Sequence, residues 1–221
     1  MTNTQKTLKV WDPLIRIGHW TLVTAFFTAY LTEDELTFHV WAGYVVAAYL
    51  PLRILWGFTG GKYAKFSSFV YSPARIIAYL QNLLNRTPQH YIGHNPAGGA
   101  MVIALLVCLT ATTLTGMKLY AVADNKGPFA LSANPDASQI QSTALVSVAQ
   151  AENNTPKAAE SAAIDKQAEN FWKELHELFT NLTLLLVFLH ISGVAVSSYI
   201  DKEKLVKAML TGNKDIDDTY Q

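Results

Sequence analysis

Histidine is the side chain in this chain best suited to bind a metal or move a proton near neutral pH. There are six: His19, His39, His90, His94, His176 and His190. Two of them, His176 and His190, lie fourteen residues apart in one apolar run, LHELFTNLTLLLVFLHISGVAVSSYI. In a helix that spacing advances about 21 Å and ends about 40° short of a whole number of turns. Both imidazoles then leave nearly one face at two depths. The run is long enough to cross a bilayer, which takes roughly 20 mainly apolar residues. An ionisable group at such a depth is costly unless something satisfies it, and a metal bond does so. Two histidines placed this way read as axial ligands, one for each of two stacked haems.

The elements that would carry these ligands are four apolar blocks, at about 14–31, 39–57, 97–117 and 175–200. Half of the 221 residues are hydrophobic and the formal net charge is zero. That balance lacks the basic stripe of a nucleic-acid binder, so no nucleic-acid partner is expected. Cys108 is the only cysteine. A lone cysteine excludes an internal disulfide, a Cys-x-x-Cys metal pair and covalent haem attachment, and leaves a small apolar packing residue. The first block follows Lys6 and Lys9 but lacks a small-x-small cleavage site, so it is expected to stay as a span.

Bases fall in three clusters: Lys6, Lys9 and Arg16; then Lys62, Lys65, Arg75 and Arg86; then Lys202, Lys204, Lys207 and Lys214. The turn between the first two blocks carries Glu33, Asp34 and Glu35 instead. By the positive-inside rule both termini and the middle connection are cytoplasmic. The expected fold is therefore all-α: an integral membrane four-helix bundle forming one domain over 1–221. Within the middle connection, the spacing after Pro73 predicts a short interfacial helix to Arg86. Residues 118–170 are polar and rich in Ala, Asn, Gln and Ser, which predicts a partly flexible periplasmic insertion.

Topology pairs the histidines by depth. His19 sits about 8 Å in from the cytoplasmic end of the first block. His190 lies in the cytoplasmic half of the fourth. His39 and His176 both open their blocks from the outer side. The pairs are His19 with His190, and His39 with His176, each able to clamp one iron from two helices. A single such histidine is more often a hydrogen-bonding residue between helices; four in two matched layers favour haem. Zinc or copper would want three or four ligands at one depth. His94 precedes the third block, where Asn95 and Pro96 read as a helix start. Arg16, Arg53 and His94 are the candidate contacts to a haem propionate or a quinone, through forked bonds to a carboxylate in the case of arginine. Gly43, Gly98, Gly99 and Gly193 could let a porphyrin or a helix approach closely.

At RIGHW, HVWAGYVVAAYLPLRILWGF, HNPAGGAMV and ELHELFTNLTLLLVFLHISGV, followed by KEKLVKAMLTGNK, the chain resembles the bacterial cytochrome b-561 family. That family includes the b-type cytochrome subunits of nickel–iron hydrogenases. The resemblance omits only residues 118–170. It implies two non-covalent b haems on His19, His39, His176 and His190, and electron transfer across the bacterial inner membrane. It also implies exchange with the quinone pool and with a periplasmic cytochrome c or a redox subunit such as a hydrogenase. Lipid surrounds the bundle, and a second copy of the chain is a further candidate partner. Two rival functions follow from the same residues. One is a self-sufficient quinone oxidoreductase, for example superoxide-linked. The other is a haem-free anchor subunit.

Overall fold

The computed structural model describes residues 6–85, 87, 89–130, 155–200 and 203–216. The expectations placed on Arg86, Lys202 and residues 131–154 lie outside them. The chain is mostly helical and divides into two compact units: residues 1–107 with 183–221, and residues 108–182.

In the first unit, α1 runs Pro13–Leu31 and α2 Leu36–Thr59. The start of α1 is set locally. Asp12 accepts a 3.0 Å bond from the Ile15 amide, and Pro13 occupies the first turn, where its missing N–H costs nothing. Pro51 lies inside α2 and withholds one N–H from the helix ladder. The two helices pack together, and Gly18 lets them close: a β-carbon there would strike the Tyr49 ring. α3, Pro73–Leu84, is the expected short amphipathic helix, with Tyr79 turned inward. α4 spans Pro96–Asp124. Asn95 caps it, its side-chain oxygen accepting from the Gly98 amide at 2.7 Å, as its position before Pro96 suggested.

A feature absent from the expected all-α description closes this unit. β1, Lys6–Lys9, pairs antiparallel with β2, Asn213–Ile216. The pairing continues as Val10 and Trp11 donate to the Gly212 carbonyl. Gly212 has φ of 86°, the left-handed conformation that ends α6, Leu205–Thr211. Val10, Trp11, Ile15, Ala64 and Ala208 form a buried cluster beside the sheet.

The second unit holds the later part of α4 and the earlier part of α5, the helix Thr155–Ile200. Both helices run past the ends expected for them. Residues 118–124 and 155–170 are helical, where a partly flexible insertion was expected. Polar composition was the misleading signal: 155–174 is rich in Ala, Glu and Lys, all strong helix formers, and it extends a helix already nucleated by the apolar run.

Among the described residues, three helices are long and apolar enough to cross a membrane: α2, α4, and α5 over Ala163–Ile200. Four were expected. α1 has 19 residues, but Arg16, His19 and the threonines at 21, 24 and 28 dilute its apolar content.

Candidate functional site

His19 on α1 and His190 on α5 meet in the first unit. Their ring centroids are 6.4 Å apart with planes at 56°. Two imidazoles on opposite sides of one metal ion have a characteristic separation. A metal–nitrogen bond of about 2.0 Å and about 1.2 Å from nitrogen to ring centre, on each side, give roughly 6.4 Å. The residues therefore fit a bis-imidazole metal group such as haem b. His19 also packs edge-on against Trp20, with 5.2 Å between centroids. Its Nδ1 is buried and has no hydrogen-bond partner among the described residues. Gly193, three residues after His190, and Gly43, four after His39, both face open space. Gly98 and Gly99 do not: a β-carbon would meet the Asn95 side chain at one and the Phe69 carbonyl at the other. Those two serve packing.

His39 and His176 belong to different units, and each is held at Nδ1. His39 Nδ1 lies 2.9 Å from the Ala29 carbonyl. His176 Nδ1 lies 3.0 Å from the Thr112 carbonyl and 3.3 Å from the Thr115 hydroxyl. A carbonyl only accepts, so Nδ1 is the donor in both rings. Metal-binding histidines are oriented in this way.

Arg16, Arg53 and His94 all lie in the first unit. The Arg53 side chain is only 6 % exposed, in a segment that is otherwise apolar. Its guanidinium sits 5.3 Å from the Phe66 ring and 5.9 Å from the Phe69 ring. His94 is wedged between Trp11 and Phe69, with centroids 4.6 Å from each. Burial, with the Arg53 and His190 charges adding to it, holds the His94 imidazole down at about 3. Arg16 donates to the Leu210 carbonyl, which ties α1 to α6. Among the described residues, five buried side-chain nitrogen or oxygen atoms lack a partner: Arg16 Nε, His19 Nδ1, Arg53 Nη1, His94 Nδ1 and Thr180 Oγ1. Four belong to residues that sequence had singled out. Such atoms are rare in folded proteins, and each marks a place where a further group could bond.

Sequence reasoning missed what orients these side chains. The Ala29 and Thr112 carbonyls are backbone groups with no residue-type signature. Thr115 and Gly116 look like ordinary small residues of a membrane helix. The Trp11–His94–Phe69 stack joins three distant segments.

Helices long and apolar enough to cross a membrane, with a pair of half-buried imidazoles facing each other, fit the class of membrane cytochromes. The chain belongs to the prokaryotic cytochrome b561 family, whose model matches residues 10–212. It is similar to a "Probable Ni/Fe-hydrogenase B-type cytochrome subunit" of Azotobacter vinelandii, 29 % identical over 148 residues, covering 53 % of this chain and 61 % of the relative. It is similar to proteins of the same description from Bradyrhizobium diazoefficiens, 26 % identical over 146 residues, and Azotobacter chroococcum, 27 % identical over 157 residues. The matches to those two cover 52 % and 57 % of this chain, and 58 % and 65 % of the relatives. The chain thus spans about three-fifths of the length of the curated relatives it matches. No solved structure matches it. Family and apolar helices together make it a membrane protein of b-type cytochrome kind.

Proposed function

We propose that the chain is a diheme b-type cytochrome that carries electrons across the bacterial inner membrane, between the quinone pool and a periplasmic redox partner. The observation that carries this reading is the 6.4 Å separation of the His19 and His190 rings. Those two residues would hold one haem b, and His39 with His176 the other. Haem supplies one-electron chemistry when bound. Two histidine ligands leave no open iron position, which suits electron transfer rather than oxygen binding.

The protein's own residues position the group and dress it. Arg16 Nε and Arg53 Nη1 are buried donors awaiting an acceptor, and a propionate is an acceptor of the right charge. His94 stays neutral beside Arg53 and adds no repelling charge. The Trp11 and Phe69 rings flank it. A groove of about 750 Å³, lined by Arg16, Trp20, Thr24, Phe38, Trp41 and Met209, supports quinone entry from the lipid.

The pairing of β1 with β2 supports the four-span topology. Segments 6–9 and 213–216 hydrogen-bond to each other, so they share one side of the bilayer. That arrangement favours an even number of crossings between them. The three apolar helices need α1 as the fourth. The basic clusters support a cytoplasmic position for that shared side and a periplasmic one for residues 118–170. The names of the relatives support a hydrogenase as the partner class.

The test is a reduced-minus-oxidised spectrum of the purified chain with haem quantitation. Two low-spin b haems per chain are expected; fewer overturn the proposal.

A further inference from the structure

We propose that Thr112, Thr115 and Gly116 form a seat on α4 that orients His176 and lowers the reduction potential of the haem it serves. This rests on the two-haem reading. The seat lies wholly within the second unit. Its residues stand at i, i+3 and i+4, on one helix face. Three separate contacts fall on one imidazole ring. The Thr112 carbonyl takes the Nδ1 proton at 3.0 Å. The Thr115 hydroxyl lies 3.3 Å from the same nitrogen. Its own hydrogen is directed elsewhere, to the Ala111 carbonyl at 2.8 Å or the Thr112 carbonyl at 3.0 Å. The hydroxyl oxygen therefore presents a lone pair to Nδ1–H. Gly116 admits the ring: a β-carbon there would lie 2.8 Å from Cε1 and 3.2 Å from Nδ1.

The chemistry follows from the second acceptor. Two oxygens drawing on the Nδ1 proton leave Nε2 more electron-rich. A richer ligand stabilises ferric over ferrous iron and lowers the potential. His19 lacks such support: its Nδ1 has no partner among the described residues. The effect is therefore confined to one of the two haems. Thr115 touches no iron and acts through His176, as a positioning residue. Simple packing would not need a hydroxyl at 115, because valine has the same shape.

The test uses the full-length chain in detergent, with potentiometric titration and low-temperature EPR. Wild type should titrate in two waves. In Thr115→Val one wave should rise by the equivalent of roughly tenfold in the oxidised-to-reduced ratio, about 59 mV for one electron, while the other stays. Thr115→Ser should restore the wild-type potential. Gly116→Ala should change the EPR g-values of that same haem, because the ring must turn. If Thr115→Val loses that haem and Thr115→Ser keeps it, the seat is also supported. Two unmoved waves in Thr115→Val, with unchanged g-values in Gly116→Ala, overturn the seat and leave the two-haem reading standing. Fewer than two waves in the wild type overturn both.

Discussion

Glu203→Gln offers a quantitative test of how the β1–β2 sheet is held to the segment before α6. Glu203 Oε2 lies 2.7 Å from Lys214 Nζ, with the side chains 8 % and 7 % exposed. His90 approaches the other carboxylate oxygen at 3.3 Å, and Lys214 also donates to the Tyr91 carbonyl at 2.5 Å. Lys214 stands opposite Leu8 in the two-stranded sheet. The ion pair therefore locks β2, and through it β1, to the segment that follows α5. Breaking a buried pair by removing one partner costs about 3–5 kcal/mol. Lys214 keeps the Tyr91 carbonyl in the variant, so the lower end applies, about 3 kcal/mol. At 1.4 kcal/mol per tenfold, local opening should become roughly a hundredfold more frequent. Hydrogen exchange reads this directly at the Val10 and Trp11 amides, which bond the Gly212 carbonyl at 2.9 and 3.1 Å. Lys214→Met in the same chain should recover much of the loss, because no charge is then left buried alone. An increase below about fivefold, under about 1 kcal/mol, would refute the reasoning. So would a double variant no better protected than Glu203→Gln.

Three further outcomes are expected. His94 is held at about 3 when folded against 6.5 unfolded, so the unfolded chain binds the extra proton as pH falls through that window. Stability should then fall from pH 6.5 downward by up to about 1.4 kcal/mol per pH unit, roughly 2 kcal/mol by pH 5. His94→Phe should flatten that slope in thermal unfolding at pH 7 and pH 5; an unchanged slope assigns it elsewhere. Arg53→Gln should speed haem loss roughly tenfold, the worth of one charge-assisted bond, when release to an apo-acceptor is timed. Haem dimethyl ester, which lacks the carboxylates, should leave both proteins at equal rates. His39→Ala should leave one b haem per chain by pyridine haemochrome, with the spectrum of the His19–His190 site retained; two haems would show that His39 is not a ligand.

The histidine pattern, the apolar blocks and the capping of α4 were legible in sequence because each is local. Helical periodicity places His176 and His190 on one face without help from the rest of the chain. Asn95 and Pro96 act on the helix that begins beside them. The length of α5 was misread because composition reports polarity, while a helix already formed by its apolar half extends cheaply through good helix formers. Other features depend on residues far apart in the chain. His94 is held far below its ordinary value because distant segments bury it and bring Arg53 and His190 near. Lys214 can be buried only because Glu203 lies beside it. The 6.4 Å gap between His19 and His190 is an interhelical distance. Side-chain identity and spacing are properties of the chain alone, so the four histidines and their faces could be read from it. Desolvation, pairing and separation depend on which segments meet, and only the tertiary structure decided those.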